Sequence, residues 1–160
     1  MKGKALRDAF GEALVELGRE NEDVVVMDAD VAGPTRTKMF GDVYPDRFFN
    51  VGIAEANMMN IAAGLAACGK IPFVSTFSFL ACLRAGDQLR TSIAYPRLNV
   101  KVGAGYGGLS DSFDGPTHHS LCDIAVVRSM PNMTVVVVSD PNQTKKAVKA
   151  APAKADPKVV

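Results

Sequence analysis

Apolar and polar positions along the chain fall into blocks that switch between helical and strand periods. In residues 3–20, Ala5, Phe10, Ala13, Leu14 and Leu17 recur at helical spacing with charges between them, which predicts an amphipathic helix. VVVMDAD (24–30) reads as a short apolar strand ending in two aspartates, followed by the loop VAGPTRT and a brief helical turn near 37–41. Pro45 breaks any helix in YPDRFFNVGI, so 48–51 are expected to be extended. Residues 54–68 predict a helix that is apolar almost all round and therefore buried on most sides. KIPFVST (70–76) is the next strand, 78–92 a helix, and LNVKVGA (98–104) another strand. A glycine-rich loop covers 105–120, and CDIAVVRSM (122–130) is helical. MTVVVVS (133–139) reads as a fully buried strand. DPNQTKKAVKAA (140–151) opens with an N-cap aspartate and a first-turn proline.

Apolar strands alternating with helices predict an α/β fold: three layers, a mainly parallel sheet with helices on both faces. At 160 residues the chain is expected to be one domain, 1–160, long enough to bury a single core. Its last residues, ADPKVV, read as the start of a further strand, and the expectation is a piece of a longer subunit.

Charge narrows the function little. The net charge is +1, so no bulk electrostatic argument favours nucleic acid or an anionic membrane surface. Lys145, Lys146, Lys149, Lys154 and Lys158 read as a solvated helix face and tail. No apolar run approaches the ~18 residues of a membrane span, and MKGKALRDAF lacks a signal peptide's hydrophobic region. A cytoplasmic location is expected. Cys68, Cys82 and Cys122 are odd in number and widely spaced, which argues against a disulfide framework or a zinc site and for buried thiols.

In open parallel sheets ligands sit beyond the carboxyl ends of the strands. Asp28, Asp30, Phe77, the segment at Glu55 and the loop bearing Asp114, Thr117, His118 and His119 all fall there. Glu55 is the only charged residue between Gly52 and Gly69. A carboxylate in a helix's first turn gains roughly 0.3–1 kcal/mol from the macrodipole, whereas burying it unpaired costs several. A specific partner is therefore expected, for instance a ligand nitrogen sharing its proton. His118 has two readings, a site residue or a cap for the next helix, and His119 a solvated neighbour. Metal binding is not suggested, because no second pair of ligands stands at suitable spacing. Asp28 and Asp30 flank Ala29 and point to opposite faces if the strand continues, so one of them is open to a structural role. Glycines 103, 105, 107 and 108 lack the strand–GxGxxG–helix context and no P-loop lysine follows.

DRFFNVGIAEANM (46–58), AAGLAACGKIPFVSTF (62–77), RAGDQLRTSIAYPRLNVKV (84–102), GLSDSFDGPTHHS (108–120) and PNMTVVVVSDPNQT (131–144) together resemble the pyrimidine-binding domain of the transketolase family of thiamine-diphosphate enzymes. The resemblance runs from about residue 4 to 151 and looks nearest to carboxy-terminal subunits of split transketolases. Deoxyxylulose-phosphate synthase and the pyruvate dehydrogenase β subunit share the domain. A non-catalytic interaction subunit is a further alternative. The resemblance implies that Glu55 hydrogen-bonds the cofactor's aminopyrimidine nitrogen, Phe77 packs on that ring and Asp30 lies near the thiazolium. It implies that Asp114 and His118 contact a phosphorylated sugar near the reacting carbon, His118 as a second catalytic residue. It also implies a homodimer and a diphosphate-binding partner subunit, which would hold Mg²⁺ or Ca²⁺, since no GDG motif occurs in the chain. Ala56, Gly86 and Phe113 depart from the family pattern, and Phe79 stands one place before Leu80, where a second pocket aromatic would align.

Overall fold

The apolar strand runs assemble in a computed structural model that describes residues 3–153 and 156–159. β1 (Val24–Asp28), β3 (Ile71–Phe77) and β4 (Lys101–Gly105) form the middle of a six-stranded sheet. β2 (Phe48–Asn50), β5 (Thr134–Val135) and β6 (Lys158–Val159) complete the order β2-β1-β3-β4-β6-β5, with every pair parallel. All five residues of β1 are buried, as expected for a strand covered on both faces.

On one face, α1 (Leu6–Glu20) and α7 (Pro141–Ala150) pack Leu14, Leu17 and Val148 against Val24, Val26 and Phe73. α2 (Ala32–Thr35) and α3 (Lys38–Val43) follow β1, and α3 adds Phe40 to this core. On the other face, α4 (Glu55–Ala67), α5 (Gly86–Gln88) with its flanking turns and α6 (Asp123–Arg128) cover Met27, Val74 and Val102. The expected N-cap of α7 is present: the Asp140 carboxylate accepts from the Asn142 and Gln143 N–H groups at 2.8 Å each. α4 ends in a Schellman motif. Gly69 sits at φ +88°, its N–H donates to Ala66 C=O, and Lys70 N–H donates to Leu65 C=O.

Several expectations are corrected. The loop after β1 holds the short helix α2, and the turn near 37–41 is α3, two residues longer at its end. The stretch 78–92 is helical but not a plain α-helix: wide π turns at Leu80–Arg84 and Leu89–Ala94 flank α5. The buried residues Ala81, Ala85, Leu89 and Ile93 recur every fourth position. An α-helix with 3.6 residues per turn would rotate that stripe off the core, and the wider turns keep it in line. α4 is not buried on most sides. Met58, Met59, Ala62 and Ala63 face the core, while Asn57, Asn60, Ile61 and Gly64 form an exposed stripe. Apolarity alone does not say which side a neighbour covers.

The strand expected over 133–139 pairs only at Thr134–Val135 and is not fully buried, since it is the sheet's edge, and Val137 is 67% exposed. Cys82 is buried as expected, but Cys68 and Cys122 are exposed, because they sit at the end of α4 and the start of α6. Lys145 and Lys149 pair with Glu16 and Glu20 on α1, and Lys158 is buried in β6, so the lysine cluster is not simply solvated. Lys154, and the Ala155 and Val160 that bound the expected final strand, lie outside the described residues.

Candidate active site

Parallel registry puts Asp28 level with Asn50 and Ser75, and Phe77 level with Gly105, so the carboxyl ends of β1, β2, β3 and β4 share one end of the sheet. Asn50 ties two of these exits together. Its Oδ1 accepts from the N–H groups of Asp30 (3.1 Å) and Gly52 (3.0 Å), while its Nδ2 donates to Asp30 Oδ1 (3.3 Å). Asp30 and Gly52 both take left-handed backbone conformations, φ 66° and 73°. The chain therefore turns sharply at the end of β2, and α4 begins with Glu55 as its first residue.

Glu55 is 1% exposed. Its carboxylate receives one guanidinium nitrogen, Arg84 Nη1, at 3.3 and 3.2 Å from its two oxygens. Arg84 closes the first π turn, where Ala85 N–H reaches back five residues to Leu80 C=O. Its side chain is 52% exposed, so the pair has one dry end and one wet end. The expected specific partner exists within the chain. A carboxylate accepts about four hydrogen bonds, which leaves Glu55 acceptor capacity for a ligand.

Phe77 is 7% exposed and lies between two rings: Tyr106 at 4.7 Å and His118 edge-on at 6.0 Å between centroids. Tyr106 has φ 58°, an unusual conformation for a bulky side chain, and Arg7 Nη1 donates to its hydroxyl at 2.6 Å. His118 Nδ1 is 3.0 Å from Thr117 Oγ1. The histidine does not cap α6, whose N-cap is Cys122 with no side-chain bond. His119 is not simply solvated, because its Nε2 is buried without a hydrogen-bond partner among the described residues, as is Oδ2 of Asp111. Asp114 is exposed at the start of the short turn Gly115–Thr117, and Thr117 Oγ1 donates to its C=O at 3.4 Å.

Two groupings result, Glu55 with Arg84 and Phe77 with Tyr106 and His118, while Asp30 is held by Asn50. Among the described residues no hydrogen bond or ion pair links Asp114 or Asp30 to Glu55. Asp28 has the structural role. Buried at the end of β1, it accepts from Val31 N–H, Thr35 Oγ1 and Thr37 Oγ1 at 2.6, 2.8 and 2.7 Å, and so pins the turn carrying α2. Burial pushes its pKa above the ordinary carboxylate value, and the hydrogen bonds from the two threonine hydroxyls oppose that shift. Sequence reasoning did not single out Arg84, Asn50 or Tyr106. Arg84 stood only inside the RAGDQ string, and nothing local marked Asn50 or Tyr106. Among the described residues no cluster of three or more His, Cys, Asp or Glu could hold a metal ion, and no helix is long and apolar enough to cross a membrane.

A family profile described as "Transketolase, pyrimidine binding domain" matches residues 2–160. The chain is 47% identical over 146 residues to a putative transketolase C-terminal section from Methanocaldococcus jannaschii, covering 91% of this chain and 46% of that protein. It is 38% identical over 148 residues to human transketolase, covering 92% of this chain and 23% of that one. Among solved structures, one described as "Split gene transketolase, inactive beta4 tetramer" superposes with a TM-score of 0.87 at 48% identity, over 98% of this chain and 50% of that chain. The chain thus spans about half the length, or less, of these relatives.

Proposed function

The chain belongs to the transketolase family, as its pyrimidine-binding domain, and on that premise we propose that it supplies the pyrimidine side of a thiamine-diphosphate site in a split transketolase. The reaction is transfer of a two-carbon ketol unit from a ketose phosphate to an aldose phosphate. The observation that carries the proposal is Glu55: a carboxyl group 1% exposed at the first turn of α4, with oxygen lone pairs left to share a proton with a ring nitrogen, beside the carboxyl ends of the strands. The described residues fit the aminopyrimidine end of the cofactor, and among them nothing is built for its diphosphate. That end, with its divalent metal, falls to a diphosphate-binding partner subunit.

Thiamine diphosphate, when bound, supplies a carbon nucleophile that carries the ketol unit. The chain's own residues do the following. Glu55 shares a proton between its carboxyl oxygen and the ring nitrogen, and its burial at 1% exposure keeps water from competing for it. Phe77 offers an apolar face, steadied by Tyr106. Asp30, tied to Asn50, would meet the thiazolium side of the bound cofactor. His118 and Asp114 hydrogen-bond sugar hydroxyls, and His118 serves as a proton carrier near the reacting carbon. The exposed stripe of α4, with Leu83 (44% exposed) in the turn Leu80–Arg84 and Tyr95 (84%) just after the turn Leu89–Ala94, both turns packing against α4, supports a homodimer through this domain. A cytoplasmic protein of the pentose phosphate pathway fits this reading.

The test is to mix the chain with a diphosphate-binding subunit, thiamine diphosphate and Mg²⁺ and follow ketol transfer. Activity only in the full mixture supports the proposal, and activity from pyruvate but not from a ketose donor would favour a deoxyxylulose-phosphate synthase-like reaction instead. Fully exposed Phe113 (99%), together with Ala56 and Gly86, favours a second reading, a non-catalytic interaction subunit. Such a subunit would bind the partner with no thiamine-diphosphate-dependent stabilisation.

A further inference from the structure

Asp30 and Glu55 follow different strands, yet one side chain reaches the backbone of both exits. β1 and β2 end level, with Asp28 opposite Asn50, and Val51 N–H still donates to Asp28 C=O at 3.0 Å. Beyond that pair the chain turns left-handed on both sides, at Asp30 (φ 66°) and Gly52 (φ 73°). Asp30 carries a Cβ, so this conformation is a sparsely populated one for it. Two side chains hold it there: Asn50 Oδ1 accepts from Asp30 N–H at 3.1 Å, and Asp28 Oδ1 accepts from Val31 N–H at 2.6 Å. At the other exit the same Asn50 oxygen accepts from Gly52 N–H at 3.0 Å. Ala54 N–H then closes a three-residue turn on Gly52 C=O at 2.7 Å, and Met58 N–H closes the first turn of α4 on Ala54 C=O at 2.9 Å. Glu55 is the first residue of that helix, so the turn held by Asn50 sets where its side chain starts.

The chemistry asked of position 50 is narrow. One oxygen accepts from two backbone N–H groups, and a nitrogen beside it donates to Asp30 Oδ1 at 3.3 Å. A primary amide carries both functions on one planar group. A carboxylate could accept twice but would set two negative charges against each other, and a hydroxyl has no second end to reach Asp30. The partners also fix which way round the amide sits, since its oxygen faces donors and its nitrogen a carboxylate. Asn50 is exposed and belongs to neither apolar core, so replacing it leaves the packing of the domain intact.

We infer that Asn50 is a positioning residue of the candidate site: its amide sets the Asp30 carboxylate and the turn into α4, and with it Glu55, in one fixed arrangement. The inference rests on the reading in which these two carboxyl groups serve the thiazolium and aminopyrimidine rings of one cofactor. A ligand held at two rings gains from both contacts only when their separation is set beforehand. Asn50 acts through the two carboxyl groups rather than on the cofactor.

Three variants separate the tie to Asp30 from the tie to the backbone. Asn50→Ala removes every bond of this side chain. Asn50→Asp keeps an oxygen for both N–H groups and loses only the donation to Asp30. Asn50→Asp combined with Asp30→Asn restores that bond in the opposite sense. Amide hydrogen exchange by NMR on the 160-residue chain is expected to speed about tenfold at Asp30, Gly52 and Met58 in Asn50→Ala and to stay near native in Asn50→Asp, with Tm lowered by under about 3 °C in both. With a diphosphate-binding subunit and Mg²⁺ present, calorimetric titration is expected to show Asn50→Asp raising the Kd for thiamine diphosphate about tenfold. The double variant should bind about threefold tighter than the two single effects combined would give. Native exchange in Asn50→Ala would overturn the inference. So would native cofactor affinity in Asn50→Asp, or purely additive effects in the double variant, either of which leaves Asn50 a turn residue with no hold on Asp30. A native mixture that takes up no thiamine diphosphate counts against the functional reading alone, and the exchange rates then decide the placement.

Discussion

Replacing Arg84 by Met should destabilise the domain more than replacing Glu55 by Gln, and the asymmetry follows from where each charge sits. Glu55 is 1% exposed, whereas the Arg84 side chain is 52% exposed. Removing the arginine strands a carboxylate in a dry position. Removing the carboxylate leaves a guanidinium that water already reaches. Breaking a fully buried pair costs ~3–5 kcal/mol, and exposed pairs contribute ~0–1 kcal/mol. A contact that is dry at one end and wet at the other falls between, at about 1–3 kcal/mol for Arg84→Met. Glu55→Gln, isosteric and uncharged, is expected to cost under about 1 kcal/mol. For a domain of this size the first loss lowers Tm by roughly 3–10 °C. Urea unfolding of the two single variants and the double variant gives each cost and the coupling directly. A cost below about 0.5 kcal/mol for Arg84→Met, or a larger cost for Glu55→Gln, would refute the argument that Arg84 balances a buried charge.

Two further outcomes are expected. Burial, with Lys158 alongside, pushes the Lys101 ammonium down to about 7 from 10.5. The folded chain then sheds that proton near pH 7 while the unfolded chain holds it to about 10.5, so stability rises with pH across this window; Lys101→Met should flatten the rise in urea midpoints measured at pH 7, 8.5 and 10. Iodoacetamide should label Cys68 and Cys122 in the native protein and Cys82 only in denaturant, as read by peptide mass spectrometry. Cys82 is buried, and burial with Asp123 nearby pushes its thiol up to about 12; rapid native labelling of Cys82 would contradict its place in the core.

The strand runs were legible because β-branched residues cluster in VVVMD, IPFVSTF and LNVKV, and a parallel sheet buries both faces of each. The same logic misread residues 133–139. A run of valines looks alike in the centre of a sheet and at an edge, and only the strand order puts β5 outermost. α4 failed in a related way, since an apolar sequence does not say which side this chain covers and which it leaves open. The wide turns at Leu80–Arg84 and Leu89–Ala94 arise from matching a four-residue stripe to the core, a tertiary demand on residues with ordinary helix propensity. Within the site, Glu55 was legible as an acid that needed a partner, but the partner was not, since Arg84 lies 29 residues away. Phe77 and His118 were both singled out and do meet directly, while Tyr106, on the other side of Phe77, takes a backbone conformation that no local residue pattern announces.

The most direct test of the central claim is ketol transfer by the chain reconstituted with a diphosphate-binding subunit, thiamine diphosphate and Mg²⁺, comparing the native sequence with Glu55→Gln. The variant should fold, bind the partner and lose at least a hundredfold in kcat, since its amide has no carboxyl proton to place on the ring nitrogen. A variant that assembles normally and keeps native activity would contradict the assignment of Glu55 as the residue through which this domain acts.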